Sequence, residues 1–120
     1  MKIAIPVLEN KGENSPISEH FGHSPFFAFV NLKGKNFTVE VEKNPLENHN
    51  PGEIPEYLKN KEIDLLIARG MGQKALVFFE QFGIKVIRGA SGTVREIINK
   101  YLEKELKDTE YEVKEKFHEH

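Results

Sequence analysis

Residues 64–106 read DLLIARGMGQKALVFFEQFG and then IKVIRGASGTVREIINKYLEKEL, one pattern given twice. Each half opens on a short apolar run, turns at an Arg-Gly pair and continues with apolar residues at helical spacing. Those residues are Ala75, Leu76, Phe79 and Phe82 in the first half, and Val94, Ile97, Ile98, Tyr101 and Leu102 in the second. A short apolar run bounded by turn signals suits a strand covered on both faces. Two strand–turn–helix units in series therefore predict parallel strands with right-handed crossovers.

Upstream, IAIPV (3–7) predicts a further covered strand, with Pro6 at its end or at an unpaired position because proline has no N–H to give a ladder. From Leu8 to Pro25 runs a loop of about 18 residues, a length that in a compact domain is more often functional than idle. FFAFVN (26–31) and NFTVEVE (36–42) flank the turn LKGK and predict a hairpin. In its second strand Phe37, Val39 and Val41 alternate with Thr38, Glu40 and Glu42, which gives one wet face. After the loop NPLENHNPG (44–52), Pro55 predicts the first residue of a short helix ending near Lys61. The charge-dense segment Lys107–His120 reads as a frayed extension of the last helix or a mobile arm, leaving one domain over residues 1–106 and a tail over 107–120.

Composition narrows the function classes. Of 120 residues, 17 are Lys or Arg and 19 are Asp or Glu, a formal charge of −2 that gives no whole-surface attraction for nucleic acid or anionic lipid. Cysteine is absent, which removes disulfides, thiolate nucleophiles and intrachain Cys-ligated zinc or iron–sulfur sites. MKIAIPV is too short to be a signal core or a membrane span, so the default expectation is a cytoplasmic protein with neither a nucleic-acid nor a membrane partner. The Lys/Glu-rich, Cys-free chain has the composition of hyperthermophile proteins.

Chemistry is expected at the strand ends. In open α/β sheets, ligands bind beyond the carboxyl ends of parallel strands, where helix N-termini present N–H groups and partial positive charge. LIARGMG supplies Arg69, Gly70, Met71, Gly72 and then Gln73, while VIRGASG supplies Arg88 and Gly89, and together they outline an anion cradle. Thr93 and Glu96 match a capping box that would satisfy the same donors in the second turn, whereas the first turn has no good capping side chain. Gly70, Gly72 and Ala75 make half of a dinucleotide fingerprint without its βαβ context or acidic ribose contact, a weak nucleotide signal. Met71 reads either as a thioether for a soft metal or as a filler of a core gap.

EHFGHSPFF (19–27) holds the one close histidine pair outside the terminus. Two neutral imidazoles do not complete a four-coordinate shell, so His20 and His23 need a third donor: Glu19, His49, or the terminal His118 and His120. On residue chemistry alone they read as well as turn residues, one capping and one solvated. His118 and His120 have no preorganised geometry and read as opportunistic ligands. Hydrolysis has little support, because the first strand has no carboxylate for Mg²⁺, Glu40 and Asp64 do not suffice, and there is no nucleophile elbow, P-loop lysine or His-Glu-x-x-His motif.

The order of EHFGHSPFF after a first strand, a hairpin, a strand ending in ARGMGQKA and then GIKVI resembles the dinitrogenase iron–molybdenum cofactor biosynthesis family, which includes NifX and the C-terminal part of NifB. The resemblance covers roughly residues 1–106. It implies a three-layer α/β/α ribonuclease-H-like fold with a five-stranded mixed sheet, one strand antiparallel. It also implies a binding role with no catalytic residue: carrying the iron–molybdenum cofactor or a related metal–sulfur cluster, with a cluster-donor or cluster-acceptor protein as partner. The family motif falls on His20, Phe21, Gly22 and His23, and on Gly70, Gly72 and Ala75. With the arginine turns, the expected binding set is His20, Phe21, Gly22, His23, Arg69, Gly70, Met71, Gly72, Gln73, Arg88 and Gly89, with His20, His23 and His49 as metal ligands. The alternative is a binding module for a small phosphorylated ligand or nucleotide at the same strand ends, and a small metal-dependent hydrolase comes third.

Composition alone supports one test. A melting curve should place Tm above the roughly 45–65 °C of mesophile domains, and a midpoint inside that range would remove the thermophile reading.

Overall fold

The structure is a computed structural model that describes residues 1–46 and 52–111. Five strands and three helices follow one another: β1 (Lys2–Val7), β2 (Phe26–Lys33), β3 (Asn36–Lys43), α1 (Glu53–Asn60), β4 (Leu65–Ile67), α2 (Gln73–Gln81), β5 (Lys85–Ile87) and α3 (Val94–Leu102). The sheet order is β3-β2-β1-β4-β5. β1 pairs antiparallel with β2 and parallel with β4, β4 pairs parallel with β5, and β3 pairs antiparallel with β2, so β2 runs against the other four.

Strand alternation sorts the apolar residues into two cores. Ile3, Ile5 and Val7 of β1, with Ala28 and Val30 of β2 and Leu65 and Ile67 of β4, pack under Val94, Ile97 and Ile98 of α3. Ala4, Phe27 and Leu66 point to the opposite face, against Ile54 and Leu58 of α1 and Phe79 of α2. The result is three layers, α/β/α. β1 and β4 contribute to both cores, which is why they read as unbroken apolar runs.

The hairpin is longer than its apolar pattern. Lys33 pairs with Asn36 across the two-residue turn Gly34-Lys35, where Gly34 has φ 62°, a left-handed conformation that a tight hairpin favours. Pro6 sits inside the register with Phe27. Its carbonyl accepts the Ser18 N–H at 2.8 Å, so its backbone edge faces away from β2 and the missing N–H breaks no ladder bond. Helix α1 starts two residues before Pro55. The proline occupies the third position, still within the first turn, where N–H groups lack intrahelical partners.

Each helix ends in a Schellman motif. Beyond α2 the left-handed residue is Gly83, but beyond α1 and α3 it is Glu62 (φ 62°) and Lys104 (φ 60°). After α3 the N–H of Glu105 reaches back to the Lys100 carbonyl (2.9 Å) and that of Lys104 to Tyr101 (3.0 Å). The helix therefore stops at Leu102 and the chain reverses, with Leu106 packed against the α3-side core. This corrects the expectation of a frayed helical extension: residues 107–111 return across the ends of β5 and β4. Residues 112–120 lie outside the described residues.

Phe79 is fully buried, and its ring meets Phe21 edge to face at 5.4 Å. Phe79→Ala should cost about 3–5 kcal/mol in a urea titration. It should also speed hydrogen exchange at the Phe21 amide more than at the β1 amides, a difference that a purely global destabilisation would not give.

Candidate functional site

The chain leaving β1 turns toward β2, and the chain leaving β4 turns toward β5, so the sheet has a topological switch point, the position of a crevice in such sheets, beyond the carboxyl ends of β1 and β4. Such switch points are where open α/β sheets bind ligands. The long segment 8–25 fills the rim of this crevice and is pinned along its length. Leu8 N–H donates to the Pro16 carbonyl at 2.9 Å and Ile17 N–H to Gly92 at 3.0 Å, while Val94 N–H donates to Ser15 at 3.0 Å. Gly12–Asn14 forms a 3-10 turn, and the buried hydroxyl of Ser15 accepts from the Lys11 N–H at 2.8 Å. The expected structureless loop is thus a strap of backbone pairing laid across the strand exits.

One of these contacts joins the two motifs. His20 and Gly70 form a parallel bridge: Gly70 N–H donates to the Glu19 carbonyl (3.2 Å) and Phe21 N–H to the Gly70 carbonyl (3.3 Å). Phe21 is buried beneath it, and the Ser18 hydroxyl donates to the His20 carbonyl at 3.1 Å. At the far end, Asn44 closes the turn, its Nδ2 donating to the Ser24 carbonyl at 2.9 Å. His20 and His23 lie on either side of half-buried Gly22 with ring centroids 6.4 Å apart; His20 is half-buried and His23 exposed. His20, Phe21, Gly22, His23, Gly70, Met71, Gly72 and Gln73 are therefore neighbours through the bridge and its adjoining turns. Met71 packs, partly buried, against the α1/α2-side core. His49, His118 and His120 lie outside the described residues. Among the described residues, no three His, Asp or Glu side chains gather to hold a metal ion.

The two helix starts differ as their sequences predict. At α3, Thr93 Oγ1 accepts from Glu96 N–H (3.3 Å) and Glu96 Oε1 accepts from Thr93 N–H (2.9 Å), a complete capping box. At α2 the cap position is Gly72, and among the described residues no side chain caps it. Its φ of −74° does not call for glycine, and a Cβ placed there would meet nothing within 4 Å. Backbone geometry does not explain this glycine, and its effect is a bare, accessible helix N-terminus carrying partial positive charge.

Both arginines of the expected cradle have partners within the chain. Arg88 holds Asp108 in a fork, Nε to Oδ1 and Nη2 to Oδ2 at 3.0 Å each, and its backbone N–H adds a bond of 2.7 Å to Oδ1. Arg69 donates from Nη1 to the Ala90 carbonyl (3.1 Å), and its guanidinium lies 4.0 Å from the centre of the Tyr111 ring, within cation–π range. The Tyr111 hydroxyl bonds to Glu19, whose carboxylate pushes the phenol above its ordinary pKa. Gly89, at φ 86°, faces the Thr109 carbonyl so closely that a Cβ would sit 2.8 Å from that oxygen. Sequence reasoning did not single out Asp108, Tyr111, Ser18, Ser24 or Asn44. A hollow of about 470 Å³ near Lys61, Glu40 and Glu42, and another of about 650 Å³ along the outer edge of β5, both lie away from the histidines. No helix among the described residues is long and apolar enough to cross a membrane.

The family model described as "Dinitrogenase iron-molybdenum cofactor" matches residues 1–104. An uncharacterized protein of Methanocaldococcus jannaschii is 31% identical over 114 residues, spanning 92% of each chain. The crystal structure of PH0822 superposes with a TM-score of 0.82 at 31% identity, covering 91% of this chain and 96% of that one. The NMR structure of a Thermotoga protein described as "a putative NifB protein" of the DUF35 family gives a TM-score of 0.73 at 28% identity, covering 89% and 91%. The apo orange protein of Desulfovibrio gigas shares the fold, with a TM-score of 0.78 at 21% identity over 90% and 92% of the chains.

The Arg88 fork sets a pH window. Hydrogen bonds from Arg88 hold the Asp108 carboxyl below its ordinary pKa. The stabilisation is therefore present above the unfolded-state value and disappears as pH falls through the lower folded value. The Asp108 ¹³C carboxyl titration should have its midpoint below that of a free aspartate, with the 107–111 segment anchored throughout pH 5–8. A midpoint at or above the free value would contradict the fork.

Proposed function

From membership of the dinitrogenase iron–molybdenum cofactor family, to which this chain belongs, we propose that it carries a preassembled anionic metal–sulfur cluster, the iron–molybdenum cofactor or a relative, in the crevice between β1 and β4. The observation that carries the proposal is the His20–Gly70 bridge, which brings the HFGH loop to the uncapped start of α2. The cluster is cargo here, and the chain's residues bind it without a chemical step of their own.

Each part of the crevice has a role suited to such cargo. A metal–sulfide or thiomolybdate group is negatively charged, and the bare N–H groups after Gly72 favour negative charge. His20 and His23 supply imidazoles that ligate an exposed metal or hydrogen-bond a sulfide. Two imidazoles are too few for a bare ion, but they suit a cluster that arrives with its own bridging sulfides, and no cysteine is required. Phe21, anchored on Phe79, and the Gly70 backbone hold the loop at a fixed distance from the helix start. A carrier receives and delivers, so the partners that follow are a cluster donor and a cluster acceptor, in support of cofactor assembly.

Anaerobic reconstitution with iron, sulfide and either molybdate or tetrathiomolybdate, followed by desalting, elemental analysis and visible absorption, tests the reading. The parent should retain metal and charge-transfer bands, and His20→Ala/His23→Ala should lose them. Gly72→Asp adds a helix cap and a negative charge at the same point, so it should leave Tm unchanged or slightly raised while weakening retention. Metal-free protein in every sample would overturn the proposal and favour the small-anion module.

A further inference from the structure

The segment 108–111 lies where an anionic ligand of the crevice would have to reach the arginines. Asp108 gives Arg88 a fork-on-fork carboxylate, the geometry this side chain uses for external oxyanions. Arg88 is only 14% exposed beneath it, while Asp108 itself is 43% exposed. Thr109 N–H then bonds the Arg88 carbonyl at 3.0 Å, and the bare surface of Gly89 admits the Thr109 carbonyl. Tyr111 covers the Arg69 guanidinium and ends on Glu19, the neighbour of His20. Four consecutive residues thus cover both arginine turns and bring Tyr111 beside the HFGH loop.

We propose that Asp108–Tyr111 is a displaceable internal anion and cover: an anionic ligand of the crevice competes with Asp108 for Arg88 and lifts Tyr111 from Arg69, so the arginines join the site only when the cover opens. The inference rests on the carrier reading for the identity of the ligand, and on the contacts above for the competition. The attachment is of the right strength to be reversible. The segment has no secondary structure, and the carboxylate of its charged contact is 43% exposed, open to water and to a competing anion. Its inner end is fixed, because Leu106 packs into the core, which places the hinge at Lys107. Glu110 adds a second negative charge near Arg88, so an approaching anion must displace carboxylates whose departure relieves like-charge repulsion.

The test uses the full chain, its Asp108→Asn variant and Asp108→Asn/Arg88→Gln, with tetrathiomolybdate, molybdate and inorganic phosphate as separate probes. Binding is read by equilibrium dialysis, and the cover by hydrogen exchange of the Thr109 amide. Asp108→Asn should bind tetrathiomolybdate about tenfold more tightly than the parent, the factor for a cover open about a tenth of the time. Arg88→Gln should erase that gain, and saturating probe should deprotect Thr109 in the parent. Equal affinity in parent and Asp108→Asn with Thr109 still protected in the complex would overturn the cover and leave the carrier standing. Release of Thr109 by phosphate or molybdate, with no tetrathiomolybdate binding, would uphold the cover and overturn the carrier. A Thr109 amide already unprotected in the free parent, or no probe binding to any chain, would overturn the cover.

Discussion

Everything at the candidate site depends on how the chain between β1 and β2 is held down. Ordering a residue costs about 1–2 kcal/mol of backbone freedom, so a long connection stays ordered only if contacts along its whole length offset that cost. Here they are spread evenly. Backbone bonds tie it to the exits of both parallel strands, Ile17 and Phe21 enter opposite cores, and buried Ser15, Ser18 and Ser24 satisfy carbonyls or amides that the turns expose. The histidines ride on this arrangement. Their separation from the start of α2 is set by the Gly70 bridge, and the bridge in turn is supported by Phe21 against Phe79.

The electrostatics of the crevice follow from which helix start is capped. α2 and α3 both begin at strand exits, yet α3 turns its donors inward to Thr93 and Glu96 while α2 keeps its donors available. The arginines do not restore symmetry. Arg88 is neutralised by Asp108, and Arg69 bonds a carbonyl under an aromatic ring. At these strand exits the uncompensated positive character therefore lies at Gly72, beside the histidine loop, and under the proposed cover it would extend toward β5 on opening.

The fold was legible where local chemistry has one outcome. Paired apolar runs marked β4 and β5, the alternation of Phe37, Val39 and Val41 marked an edge strand, and Thr93 with Glu96 marked the start of α3. Gly83 announced the end of α2, but Glu62 and Lys104 adopt the same left-handed turn with no residue signal for it. The stop after Leu102 was missed for that reason, and the returning segment with it. Strand-end logic located the binding region and the two motifs within it. It did not supply the register of His20 against Gly70, because the path of a long loop is decided by tertiary pairing. Asp108 and Tyr111 were illegible for a related reason: in a charged stretch, nothing distinguishes the carboxylate that meets an arginine from its solvated neighbours.

A carrier has a requirement that an enzyme's resident cofactor site does not, since its cargo must leave. Tight enclosure by many protein ligands lengthens residence, because affinity is lost mainly through the off-rate. The crevice meets the opposite requirement. In the proposed reading, two imidazoles, one of them exposed, and a row of backbone donors would hold a charged group on one side only. An internal carboxylate on Arg88 supplies a competitor that, under the proposed cover, would rebind as the cargo departs. By reclaiming the arginine, Asp108 would lower the cost of release under this proposal, since the cation left behind is never stripped of an anionic partner. Loading and unloading then draw on the same contacts in opposite order, and the small apolar Phe21 anchor keeps the histidine loop in place through both.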